Sequence, residues 1–304
     1  DDYLKFLHER GFGHISDPHG IRGEMYYVPQ PAQMPAELHP TQWVGDRAVA
    51  FIREQGEKRR SGSGGQRGSR PWFLYAWFIH PHPPFAPPNP WHKLYRAFDM
   101  PLPNVPADWE SLLVYINRVQ NRYKYRDQGI DRNLVRCIKA YYYACISFID
   151  FQLGRILAAL EETGQLDDTL IICTSDHGEL LGDYNSFGKR SMHDASCRVP
   201  MLVRYPKRFA AGAVCTRPAS LVDIAPTVLA AAGAKIATHR LDGLDLADVA
   251  AGKTDRKLVF AQHGRLGKAS YMAVSEEWKY VYSAPDGRAF LFDRVRDPLE
   301  TRNK

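Results

Sequence analysis

No apolar run in this chain approaches the roughly 20 residues needed to cross a bilayer; Trp72 to Ile79 and Val228 to Ala234 are the longest, and both fall far short. A membrane span is therefore not expected. Cysteine is scarce, five among 304 residues, and the odd number without CxxC spacing excludes a disulfide framework and a thiolate zinc site. Reduced, mostly buried thiols are the simpler expectation. Charge imbalance is also small: 40 Lys and Arg face 34 Asp and Glu, a formal +6, too mild at this length to argue for nucleic acid. With 44% hydrophobic and 24% charged residues, the composition excludes disordered, collagenous and coiled-coil classes. The N-terminus offers neither an initiator Met nor a basic-then-apolar leader, and Asp1 to Phe6 reads as a helix already under way. The chain is expected to be part of something longer.

What is present alternates between strand and helix patterns. After a first helix to about Glu9, five prolines between Pro18 and Pro40 break up residues 1–40. Val44, Ala48, Phe51 and Ile52 share a helical face and predict a helix near 42–54. Residues 57–70 are Gly-, Ser- and Arg-rich with nothing to bury, and predict a flexible basic loop. Trp72 to Ile79 predicts a strand covered on both faces. Tyr141, Cys145, Phe148, Leu153, Ile156, Leu157 and Leu160 keep a 3.6-residue rhythm that Gly164 ends. Strands follow at 170–174 and 199–205, then a helix at 221–232. The whole predicts an α/β fold, a mainly parallel sheet sandwiched by helices over 1–252, with a small antiparallel sheet subdomain over 253–304.

Open α/β sheets bind ligands beyond the carboxyl ends of their strands, and two polar clusters fall there. One is His80-Pro81-His82-Pro83-Pro84-Phe85; the other is Ser175-Asp176-His177-Gly178-Glu179. Asp176 offers a hard anionic oxygen and His177 an imidazole, a pair able to approach one divalent ion. Taken singly, Asp-His-Gly is more often a capped turn, Lys189 a solvated lysine, and His82 a packed loop histidine.

The longer string alters that balance. It reads Thr174-Ser175-Asp176-His177-Gly178-Glu179-Leu180-Leu181-Gly182-Asp183, then Phe187-Gly188-Lys189, then Arg198-Val199-Pro200. It resembles the sulfatase family, in particular the arylsulfatase, choline sulfatase and phosphonate monoester hydrolase group within the alkaline phosphatase superfamily. Asp46-Arg47-Ala48, Pro81 to Phe85, Gly154 to Leu157, Val222 to Thr227 and Trp278-Lys279-Tyr280 agree in order. The resemblance implies an alkaline phosphatase-like fold, N-terminally incomplete, and a sulfuric ester hydrolase. Asp176 and His177 then match two ligands of a divalent cation, calcium first, with magnesium or manganese open. Lys189 matches the lysine that binds the sulfate and its leaving oxygen. His82 matches a histidine touching the same group, a role that His80 fits less well. His193 is more simply a packed histidine than a pocket one.

The family's nucleophile motif, Cys/Ser-x-Pro/Ala-x-Arg with the cysteine form oxidised to formylglycine, does not occur here. Cys215-Thr216-Arg217-Pro218-Ala219 has the ingredients in the wrong order. Formylglycine is expected in a missing N-terminal part, and the chain alone is expected to be inactive, because charge-binding groups cannot form the covalent intermediate. Its expected partner is a small-molecule sulfate ester; a phosphonate or phosphate ester, or a noncatalytic anion- or protein-binding role, is the alternative. Nucleic acid and membrane are not expected partners, and the missing disulfide pattern leans toward a bacterial cytoplasm, with the periplasm open.

Overall fold

The computed structural model describes residues 1–23, 26–61, 71–124, 131–234 and 240–304. The helices are α1 (Asp2–Glu9), α2 (Pro40–Ser61), α3 (Tyr115–Lys124), α4 (Arg132–Glu162), α5 (Asp194–Cys197), α6 (Ile224–Ala231) and α7 (Leu246–Ala250). The strands are β1 (Ile171–Thr174), β2 (Met201–Arg204), β3 (Val259–His263), β4 (Ser270–Val274), β5 (Trp278–Ser283) and β6 (Arg288–Asp293). The chain divides into two compact units, residues 1–102 with 130–166 and residues 103–129 with 167–304.

In the first unit, the Asp1 carboxylate accepts the Tyr3 N–H at 3.0 Å and starts α1. That helix buries Tyr3 and Leu7 with Met34 and Leu38. Helices α2 and α4 pack together. Gln152 donates to Gln42 at 2.8 Å, and Arg155 pairs with Asp46 at 2.7 Å. Asp131 caps α4 through the Leu134 N–H, so this helix begins before the apolar rhythm does. It is also long and apolar enough to cross a bilayer by length and composition. The sequence reading passed over it because Lys139, Asp150, Gln152 and Arg155 interrupt its apolar runs. Gln152 is nonetheless fully buried, as in a core helix. Helix α2 runs on to Ser61, so residues 57–61 of the expected loop are its last turn, and 62–70 lie outside the described residues.

The α/β class with a C-terminal antiparallel sheet is as expected, but the strand pairs formed are all antiparallel. Strand β1 pairs with β2 in the register Ile171↔Arg204 to Thr174↔Met201. A parallel pair needs a crossover element, and the connection from 175 to 200 is irregular apart from short turns and α5. Trp72–Ile79 forms no strand and belongs to no ladder among the described residues. Strands β3 to β6 form an antiparallel meander in chain order. Its inner face, Met272, Val274, Val281, Phe290 and Phe292, packs on Leu112 to Val114, Leu180, Tyr184 and Met192. The helix expected at 221–232 divides at Asp223, which is fully buried and accepts both arms of Arg256 at 2.6 Å. None of the five cysteines forms a disulfide, but only Cys145 is fully buried and Cys215 is exposed.

Candidate functional site

Strand β1 ends at Thr174, whose hydroxyl donates to the Pro200 carbonyl at 2.7 Å and ties the strand end to the start of β2. The chain then turns. The Ser175 hydroxyl donates to the His177 carbonyl at 2.7 Å. His177 Nδ1 donates to the Gly178 carbonyl at 2.8 Å, which fixes the proton on Nδ1 and leaves Nε2 as the ligand atom of the neutral ring. That Nε2 lies 3.5 Å from Asp176 Oδ2, whose side chain is 77% exposed. A hard oxygen and an imidazole nitrogen facing each other fit a divalent cation as two members of a larger shell. Among the described residues, no group of three or more His, Cys, Asp or Glu is assembled.

Lys189 lies in the same unit and is tied to the same turn. The Gly178 N–H donates to the Ser196 carbonyl at 2.7 Å, and the Ser196 hydroxyl donates to the Lys189 carbonyl at 2.5 Å. The Glu179 N–H donates to the Ala195 carbonyl at 2.9 Å. Position 178 requires glycine, because a Cβ there would run into the Ala195 carbonyl. Burial lowers the pKa of Lys189 against the opposing pull of Glu179 and Asp176, and Arg190 lowers it further. Arg190 also lowers His263, at the end of β3, where burial is again the first cause. Lys189 therefore lies within reach of the Glu179 and Asp176 carboxylates and, more weakly, of the Arg190 guanidinium. Sequence reasoning missed Arg190 and His263, since an arginine beside a lysine reads as a solvated pair and β3 lies some seventy positions downstream.

His82 lies in the first unit. Its Nδ1 donates to the Pro83 carbonyl at 2.7 Å, which places the proton on Nδ1, as in His177. His80 is 3% exposed, and neither of its ring nitrogens has a hydrogen-bond partner. It stacks on His39, ring centroids 4.9 Å apart. His193 is a packing residue: its ring stacks on Tyr184 at 4.1 Å, and Nε2 donates to the Leu112 carbonyl at 3.1 Å.

Comparison with known proteins decides the family. A profile described as Sulfatase matches residues 9–234, most of the chain. The chain belongs to the sulfatase family. A second profile, N-sulphoglucosamine sulphohydrolase, C-terminal, matches residues 182–304 of this sulfatase chain. An arylsulfatase of Clostridium perfringens (strain 13 / Type A) is 31% identical over 100% of the chain, which spans 61% of that protein. A choline-sulfatase of Rhizobium meliloti (strain 1021) is 33% identical over 85% of the chain and 51% of that protein. Among solved structures, a phosphonate monoester hydrolase of Agrobacterium radiobacter superposes with a TM-score of 0.78 at 28% identity, over 100% of this chain and 64% of that one. The fold is thus that of the alkaline phosphatase superfamily. The chain spans little more than half the length of the curated relatives it matches.

Proposed function

We propose that this sulfatase chain carries the oxyanion-binding part of a hydrolase acting on a small-molecule sulfate ester. The observation that supports it best is the hydrogen-bonded circuit joining His177 to Lys189 at the carboxyl end of β1, with Asp176 Oδ2 3.5 Å from His177 Nε2. A sulfate ester spreads charge over its nonbridging oxygens and develops more on the leaving oxygen as the bond breaks. The Lys189 ammonium, half withdrawn from water, binds that charge more strongly than a solvated lysine would. Family resemblance gives His82 contact with the same ester group; with Nδ1 donating to the Pro83 carbonyl, Nε2 donates to an ester oxygen only in the imidazolium form. Asp176 and His177 would hold a divalent cation, calcium first, which when bound polarises a nonbridging oxygen. The sequence holds no Cys/Ser-x-Pro/Ala-x-Arg motif, so the chain binds without turning over. The similarity to a phosphonate monoester hydrolase favours a second reading, in which the ester is a phosphonate or phosphate.

Two measurements test this. With p-nitrophenyl sulfate and calcium, the chain releases no nitrophenolate above a protein-free blank. Calorimetric titration with inorganic sulfate gives a saturable isotherm that Lys189→Ala weakens about tenfold, the loss of roughly one charge-assisted contact. Catalytic release of product refutes the inactivity, and an isotherm indifferent to Lys189 refutes the site.

A further inference from the structure

We propose that Glu179 is a positioning residue for Lys189, setting the lysine beside the Asp176–His177 pair through the peptide groups of Gly188. This rests on the oxyanion-binding reading above. Glu179 is 8% exposed, and its Oε1 accepts the Gly188 N–H. One residue along, the Leu180 N–H donates to the Gly188 carbonyl at 3.0 Å. Both polar groups of Gly188 are therefore held by residues 179 and 180, immediately before Lys189. Gly188 sits at φ +92°, with the Gln120 amide against the place where a Cβ would stand, and that amide donates to the Phe187 carbonyl. Lys189 is held from its other side by Ser196, whose carbonyl returns to Gly178. Two routes thus run from the His177 turn to Lys189, one through Ser196 and one through Glu179.

Burying a carboxylate takes its charge out of water, whereas an amide could accept the same backbone N–H without that cost. The charge has its own use. Among the groups acting on the Lys189 ammonium, Glu179 is the largest that favours it, ahead of Asp176, and it opposes the desolvation of the lysine. One side chain therefore places the backbone of Lys189 and keeps a counter-charge near its ammonium.

Positioning and simple electrostatics predict opposite signs. Removing a negative charge near an anion site by itself tightens anion binding. In the full 304-residue chain, titrated with inorganic sulfate at fixed ionic strength, Glu179→Gln keeps the acceptor and binds sulfate at least as tightly as wild type. Glu179→Ala loses the tether and weakens sulfate about tenfold despite the gained positive field. In a Lys189→Ala background, Glu179→Ala has no further effect, because its influence passes through the lysine. Amide exchange at Gly188 accelerates roughly a hundredfold in Glu179→Ala and stays near wild type in Glu179→Gln. Equal tightening in both Glu179 variants overturns the proposal, and so does a loss that persists without Lys189. A wild-type chain that binds no sulfate overturns the oxyanion reading itself. Gly188 protection unchanged in Glu179→Ala overturns the positioning role, whatever sulfate does.

Discussion

His80 sits in a group of histidines whose protons are constrained by packing. His39 accepts the Thr41 N–H on Nδ1 at 3.1 Å and donates from Nε2 to the Ala86 carbonyl at 3.2 Å, so it is neutral with its proton on Nε2. Burial, then the neighbouring charge of His80, drives its pKa well below the usual histidine range. His80 is lowered to about 4, by burial first and then by His19 and His82; burial and then Arg22 act likewise on His19. A base whose folded pKa is depressed stabilises the fold above its unfolded pKa, near 6.5, and loses that contribution as pH falls through 6.5 toward 4. From the His80 shift alone, the loss between pH 7.5 and pH 4 is about 3 kcal/mol at most. Urea unfolding at both pH values should show the wild type losing stability over that interval. His80→Phe should lose about one proton's worth less, leaving the share of His39. An acid slope identical in wild type and His80→Phe would contradict the assignment.

Strand β5 shows where an element's pattern misleads. Its outward residues are Trp278, Tyr280 and Tyr282, whereas Lys279, Val281 and Ser283 point inward, so hydropathy alternation would assign the two faces in reverse. Lys279 is 1% exposed. It donates to the Met192 carbonyl at 3.0 Å and pairs with Asp194 and Glu300. Burial by itself would lower its pKa, but Cys197, Glu300 and Asp194 outweigh that and raise it, so the ammonium persists. Lys279→Met fills similar space but removes the buried cation from Asp194 and Glu300, leaving them, among the described residues, only Arg198, His193 and the Asp194 N–H, and is expected to cost about 3 kcal/mol by denaturant unfolding. A cost under about 1 kcal/mol would show the pair to be dispensable. Elements with one apolar stripe, such as α2 and α4, and turns ended by Gly164 or Gly233 were legible, because periodicity and glycine stops are local signals. The proposal for Asp176, His177 and Lys189 rests on a different signal, an ordered string of residues. The direction of β2 was not legible, since it depends on how the 175–200 connection folds. Nor was the tether on Lys189, which runs through backbone groups of Gly178, Ala195 and Ser196 that have no side-chain signature.

At the scale of the whole molecule, the outward aromatics of Trp72–Ile79 are the feature least in keeping with a formal charge of +6. Phe73, Tyr75 and Trp77 fall at every second position and are 71%, 76% and 61% exposed. The other side is partly covered: Trp72 donates its indole N–H to Gln165 at 3.0 Å and meets Phe51 edge-on. Among the described residues, none of the N–H or C=O groups from Trp72 to Phe78 takes part in a backbone hydrogen bond. An α/β fold normally covers such a run on both faces. Exposed, uncharged and unladdered, it has every property of an associating edge and none of the Lys or Pro blocks that protect natural edges. Each aromatic offers on the order of 150–250 Å² to a partner, so three of them approach a substantial share of the roughly 800 Å² per side of a specific interface. Dispersed positive charge acts against association only weakly at physiological salt, where screening sets in within about 8 Å. Sedimentation velocity on the 304-residue chain should therefore show a weight-average coefficient rising with protein concentration. The Phe73→Lys/Trp77→Lys variant, with an unchanged far-ultraviolet circular dichroism spectrum, should hold it constant, because like charges then line the edge on any two approaching copies. A wild-type coefficient independent of concentration would show that this segment is not the surface through which copies meet.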